Sequence, residues 1–238
     1  MIHTFRADVE IADPGSTITL AWSWSGGDGA TIYHLMSTGQ LSTPWWEVGP
    51  QGSVEYTISP ERRNSDSFVL FVYDQEEGVL AQETVRIELR CPDEWFFTPA
   101  PDVCPAGPPV VTEGAEQRFE RGVMLWNRAE ERIYVLFADG RSPAWTAYAD
   151  QWAEGDMEHD PDITPPAGRV QPIRGFGLVW RVQPGVRERL GWGLAPEQGY
   201  ETAIQRSSHV RYPDTYLRAR DGGTWKLGPN SGSWDYIP

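Results

Sequence analysis

Lysine is almost missing from this chain: Lys226 stands alone among 20 basic residues in 238, the rest being arginine. Acidic residues number 34, so the net charge is −14. A surface of that sign repels a phosphate backbone and an anionic membrane, which sets aside nucleic acid and membrane lipid as partners. The four histidines, His3, His34, His159 and His209, are scattered, which sets aside a His-rich zinc site. No apolar run reaches the roughly 18 residues of a transmembrane helix. No charged start followed by an apolar stretch opens the chain, so the reading is a mature fragment or the tail of a longer protein. Neither His-Glu-x-x-His, nor Gly-x-Ser-x-Gly, nor a phosphate-cradling glycine loop occurs. No catalytic residue is singled out, and the expectation leans against an enzyme.

Cysteine is scarce too, and the two present are informative. Cys91 and Cys104 bracket a segment rich in proline and aromatics, Cys91-Pro92-Asp93-Glu94-Trp95-Phe96-Phe97-Thr98-Pro99-Ala100-Pro101-Asp102-Val103-Cys104. The prolines hold it as a loop, and a bridge across its ends would be worth about 3 kcal/mol on the chain-entropy model. A disulfide points to an exported protein, extracellular or at the cell surface. Residues 90–112 read as a linker, with the rings of Trp95, Phe96 and Phe97 expected to wedge between two domains as a stiff hinge.

Abundant glycine (24), proline (20) and tryptophan (12) point to many turns and few long helices, hence an all-β chain with short helices. Residues 1–89 alternate apolar and polar positions repeatedly: Ile18, Leu20, Trp22 and Trp24, then Val54, Tyr56 and Ile58, then Val85, Ile87 and Leu89. Ser67 to Tyr73 is a continuous apolar run suited to a central strand. Turn signals at Asp13-Pro14-Gly15, Gly26-Gly27-Asp28-Gly29, Gly49-Pro50-Gln51-Gly52 and Glu76-Glu77-Gly78 separate the runs. About seven short strands at this spacing make an immunoglobulin-like or fibronectin-III-like sandwich, with Trp22 or Trp24 as its buried aromatic. The strand entry Asp13-Pro14-Gly15-Ser16-Thr17-Ile18-Thr19-Leu20-Ala21-Trp22 resembles the small Ig-like domains of exported bacterial proteins. That resemblance implies a fold and no function.

Residues 113–238 follow another grammar. The stretch from Ala115 to Trp126 predicts a short helix or turn, then a hairpin around Asn127–Glu131 returning through Arg132-Ile133-Tyr134-Val135-Leu136-Phe137. Gly175-Phe176-Gly177-Leu178-Val179-Trp180-Arg181, with Val186 to Trp192, and Ala203–Arg206, with Thr224–Leu227, echo the same unit: a small-residue turn, an aromatic, a strand ending in Trp and a return strand. Such units bury a face only by stacking, which predicts one compact repeat-built β domain. Leu190-Gly191-Trp192-Gly193, the Gly-Phe-Gly…Trp unit before it, and Gln117-x-Phe119-x-x-Gly122-x-x-x-Trp126 are similar to LGFP-type repeats. Gly193 replaces the expected proline, and residues 139–170 have no counterpart in the repeat. The whole arrangement, from Cys-Pro-x-x-Trp-Phe-Phe to Arg-Gly-Phe-Gly-x-Val-Trp-Arg, resembles exported proteins of Chloroflexi-type bacteria. The resemblance implies a module that holds a protein at the cell envelope, and it supplies no catalytic residue.

Three groups of side chains invite chemistry. Glu154, Asp156, Glu158, Asp160 and Asp162 alternate along a loop containing Gly155; this suits either a solvated acidic loop or a weak structural Ca²⁺ site, the only cofactor the sequence suggests. Trp126, Trp145, Trp152, Trp180, Trp192 and Trp225, with Tyr134, Arg174 and Arg181, form an aromatic set. It suits sugar stacking or peptide-groove binding, or else is the domain's core, with Trp180 and Trp192 the more core-like and Trp145 and Trp152 the more exposed. Arg169, Arg174, Arg181, Arg187 and Arg189 either neutralise acids such as Glu120 and Glu188 or form a cleft for an anionic glycan. The reading that unites these features is a non-catalytic envelope module binding a cell-wall glycan or a surface protein. A glycosidase-like hydrolase with a carboxylate pair in the C-terminal domain, or a purely structural surface component, are the alternatives.

Overall fold

Alternation in the first ninety residues becomes strands because each places one face against a common core. In a computed structural model describing residues 1–36 and 38–238, eight strands precede the cysteines. They are β1 (Ile2–Ala7), β2 (Ile11–Ala12), β3 (Thr17–Trp24), β4 (Gly29–Leu35), β5 (Leu41–Glu47), β6 (Gln51–Thr57), β7 (Ser65–Asp74) and β8 (Gly78–Leu89). They form a sandwich-like pair of sheets, ordered β1-β3-β6 and β2-β8-β7-β4-β5. The apolar run of β7 lies between β8 and β4, as a central strand should. Leu20 from one sheet and Ile32, Phe68 and Leu70 from the other share a core in which each is fully buried. A side chain of this kind contributes about 1.5–3 kcal/mol when removed from water. Trp22 and Trp24 are both buried, and both indole N–H groups donate to the carbonyl of Gly49 at 2.9 and 2.8 Å. Gly52 faces Trp22 across the ladder, where an added Cβ would lie 2.8 Å from the indole ring. Glycine is required there because the ring occupies the space.

Cys91 and Cys104 are bonded, with their Cα atoms 5.2 Å apart. The backbone N–H of Cys104 donates to the Asn64 side chain at 2.7 Å. The chain divides into two compact units. The first holds residues 1–94 and 102–106, including both cysteines; the second holds residues 95–101 and 107–238. Within the second unit, Trp95 packs edge-on and Phe97 at a tilt against Tyr216, with ring centroids 4.8 and 4.9 Å away, and the Phe96 ring lies beneath the Arg218 guanidinium.

The second unit is built on β9 (Val110–Phe119), β10 (Gly122–Asn127), β11 (Arg132–Phe137), β12 (Trp145–Ala149), β13 (Gln198–Arg206), β14 (Thr215–Arg218), β15 (Thr224–Leu227) and β16 (Trp234–Ile237). All eight join one antiparallel sheet in the order β12-β11-β10-β9-β13-β14-β15-β16. The sheet curls toward a barrel. Its two ends meet where Ala144 N–H donates to Ser231 O (2.8 Å), Trp145 Nε1 to Gly228 O (3.0 Å) and Trp234 Nε1 to Phe137 O (2.8 Å). Strand alternation then makes two cores. Val123, Leu125, Leu136, Leu217 and Trp225 fill the inside, while Met124, Ile133, Val135 and Phe137 face outward under two helices.

Those helices correct the reading of residues 175–192 as strands. Residues Arg174–Val182 form α1 and Val186–Leu190 form α2. The pair Gly175 and Gly177 opens a helix packed tightly on its neighbours. A Cβ on Gly175 would lie 2.5 Å from Asp150 Oδ1, and one on Gly177 the same distance from Pro172 O. Residues 115–119 are likewise strand rather than helix or turn, because β9 is buried on its inner face and pairs with both β10 and β13. The hairpin at 127–131 is present, its turn closed by Asn127 Oδ1 accepting from Glu130 N–H. Residues 139–170, read as an insertion, contain β12, an integral strand of the barrel.

Candidate functional site

Register explains why a cleft exists on the outer face of the barrel. Ile133, Trp126, Ala115 and Gly199 stand side by side on four adjacent strands, each paired with the next. The row falls from a large aromatic to a methyl group to no side chain at all. Beside Trp126 the sheet is therefore bare, and the helix layer stops short of covering it. The resulting cleft has a volume of about 930 Å³. Ala115, Trp126, Ile133, Phe176 and Gly199 line its apolar part, and Glu113, Asp150, Trp152, Arg174, Glu197 and Glu201 line its polar part.

The polar side is an ordered set of charges. Arg174 has a left-handed backbone (φ 50°) at the start of α1. Its N–H donates to the backbone oxygen of Glu158 (2.9 Å) and its Nε to the Glu158 carboxylate (3.1 Å). From there the guanidinium lies 5.9 Å from the centre of the Trp152 ring and 3.6 Å from the Glu197 carboxylate. Asp150 sits against the N-terminal turn of α1 and accepts from Trp152 N–H at 3.2 Å. Burial pushes the Glu197 carboxyl above its ordinary value despite the pull of Arg174, and the charges on Asp150 and Glu158 add to the rise. Glu113 and Glu201 oppose each other across the β9–β13 ladder at one end of the cleft, both exposed. Four carboxylates and one guanidinium line the cleft; Arg128 reaches Glu113 and Arg218 reaches Glu201 from outside it, which leaves the lining only weakly negative. The indole N–H groups of Trp126 and Trp152 are buried with no acceptor among the described residues, at a cost of about 1–3 kcal/mol each.

Of the nine aromatic and arginine residues proposed from sequence, the cleft gathers Trp126, Trp152 and Arg174. Tyr134 and Trp145 turn to the inside of the barrel, and both Trp145 and Trp152 are half-buried rather than exposed. Trp180 is fully buried with its Nε1 on Gly191 O (2.8 Å), and Trp192 packs 5.2 Å from it. The Arg187 guanidinium caps both rings, at 4.6 and 5.3 Å. Trp225 is buried inside the barrel, donating to the Glu116 carboxylate at 3.1 Å. Arg181 reaches the Met157 carbonyl at 3.4 Å. Arg169 and Arg189 neutralise Glu120 and Asp139 at 2.7 and 2.8 Å, and Arg189 holds the Asp139 carboxyl well below the usual carboxylate range.

The five alternating acids are not brought together. Among the described residues no three of Asp, Glu, His and Cys are gathered as a metal would require. Glu158 is engaged by Arg174, Asp156 accepts from Ala153 N–H (2.9 Å), and Asp160 accepts from Asp162 N–H (3.0 Å). Asp150, Glu197, Ala115 and Gly199 escaped the sequence reading. Only the cross-strand register, which pairs small residues beside a Trp, would have marked the last two. No family model matches this chain, and no curated protein matches it.

Proposed function

We propose that this chain is a non-catalytic binding module of the cell surface, and that its outer-face cleft takes a neutral or amine-bearing glycan of the envelope. The observation that carries this reading is the pairing of Trp126 and Trp152 with a rim of carboxylates in one cleft. Sugar rings offer C–H faces to indoles and hydroxyls to carboxylates. The weakly negative lining disfavours an anionic polymer there. The disulfide supports an oxidising compartment, and hence export. Pull-down on peptidoglycan, followed by calorimetry with soluble neutral and amino-sugar oligomers, tests the reading. Trp152→Ala should weaken binding about tenfold, the equivalent of 1.4 kcal/mol. Binding of none of these glycans, or binding indifferent to Trp152, would refute it.

A second reading, hydrolysis of the bound glycan, is favoured by one observation: Glu197 is largely buried with a raised carboxyl pKa, as a general acid requires, and Asp150 lies in the same cleft. Turnover of an oligosaccharide that Glu197→Gln abolishes while leaving binding intact would establish it.

A further inference from the structure

The inside of the barrel has a mouth of opposite character. On inward-facing positions at one end, Tyr134 and Arg132 of β11 are paired with Ala147 and Ala149 of β12, and Arg206 of β13 is paired with Thr215 of β14. The small side chains of Ala147 and Thr215 leave the interior unfilled there. An open pocket of about 450 Å³ results, bordered by Arg211 and Pro213 from the β13–β14 connection and by Pro229 and Asn230 from the β15–β16 connection. Its size lies within the range of small-molecule sites, and barrel mouths are a recurrent place for them.

Three arginines and no carboxylate line this pocket, in a chain of net charge −14. Glu130 is the acid beside it. One of its oxygens is 2.7 Å from Arg206 Nη2, and the other accepts the Tyr134 hydroxyl. That carboxylate is fully engaged, and no ion pair among the described residues involves Arg132 or Arg211. Converging guanidiniums repel one another unless an anion lies between them, and their planar forks fit carboxylate and phosphate oxygens in pairs. Trp145 and the two prolines add an apolar wall suited to the body carrying that anion.

We propose that the barrel mouth is a second binding site, for an oxyanion borne on a sugar-sized body, either a uronate or a sugar phosphate. It is independent of the cleft, lying on the opposite face of the same sheet. Calorimetry with glucuronate, glucose 6-phosphate and glucose tests it, the first two separating a carboxylate source from a phosphate source. One of the anions should bind at about 1 mM or tighter, and glucose at least about tenfold more weakly. The double variant R132Q/R211Q should lose about 10–100-fold in affinity for that anion, and added salt should weaken the wild-type complex. Arg132 and Arg211 are exposed, so the fold should survive; R132K/R211K, which keeps the charge and loses the fork, should fall between the two. Silence with both anions up to about 20 mM, equal affinity for glucose, or an unchanged affinity in R132Q/R211Q would overturn the proposal.

Discussion

Gly199 is where the cleft can be closed without touching the fold. It lies in β13 opposite Ala115, its φ is not left-handed, and a Cβ built on it meets only the Gly114 carbonyl oxygen, 3.8 Å away. Gly199→Phe therefore adds a ring on the outer face of the sheet, where Gly199 lines the cleft that also holds Trp126. The backbone term favours the variant. Glycine in a strand interior is worth about 0.5–1 kcal/mol less than a residue with a side chain, and aromatics sit near the top of the strand scale. Stability measured by urea unfolding should rise or stay within about 0.5 kcal/mol of the parent. Glycan binding followed by calorimetry should fall by more than about tenfold, because a phenyl ring takes up the bare strip on which a sugar would lie. The oxyanion site at the barrel mouth should be unaffected. A stable Gly199→Phe protein that binds its glycan as the parent does would refute the placement of the site. A Gly199→Phe protein that unfolds would refute the claim that this strip is open.

Other perturbations test the frame and the charge set. Asp66 is fully buried between His34 (2.6 Å) and Arg62 (2.9 Å), so Asp66→Ala should destabilise the first unit by about 3–5 kcal/mol in urea unfolding, leaving two polar partners with no carboxylate. Replacing Cys91 and Cys104 together by serine should lower stability by up to about 3 kcal/mol, and reduction of the parent should add two hydrogens to its intact mass. Glu197 binds its proton more tightly in the folded chain than in the unfolded one. Its own contribution to stability should therefore decline as pH rises from the unfolded glutamate value, roughly 4.3, through the folded value, against the opposite trend of Glu120, Asp139 and Asp221, so the stability of Glu197→Gln relative to the parent, followed by melting temperature, should rise across that window.

How far these features could be read beforehand depended on which contacts decide them. In β3 and β7 the pattern of Ile18-x-Leu20-x-Trp22 and the run from Phe68 to Val72 are set by burial on the strand's own faces, so sequence periodicity carries them. The α1 segment misled because Gly175 and Gly177 look like a turn, whereas they are there to let a helix lie within contact of Asp150 and Pro172. The pairing of β13 with β9 joins residues about 90 apart, and no local signal announces it. Yet that pairing alone sets Gly199 beside Ala115 and so opens the cleft. The arginines Arg132, Arg206 and Arg211 passed unnoticed for the same reason: they come from β11, β13 and a loop, and only closure of the sheet makes them neighbours.

That closure also explains how one acidic chain holds surfaces of opposite sign without their cancelling. Neighbouring positions on a strand face opposite sides, so Ile133 lines the cleft while Arg132 and Tyr134 line the mouth, and Gly199 and Glu201 face outward on the strand that turns Arg206 inward. A layer of packed side chains and backbone lies between the carboxylate rim and the three arginines, and the intervening strands carry Leu125, Leu136 and Ile204 as an apolar filling. Pairing between the two sets is thereby prevented in the folded state. Most other arginines of this unit that carry an acid within reach use it, as Arg169, Arg174 and Arg189 do. Arg121 and Arg181 turn to backbone carbonyls and Arg187 to the rings of Trp180 and Trp192, whereas Arg132 and Arg211 sit with Arg206 at one concave mouth, and it is that convergence that separates a ligand site from surplus surface charge.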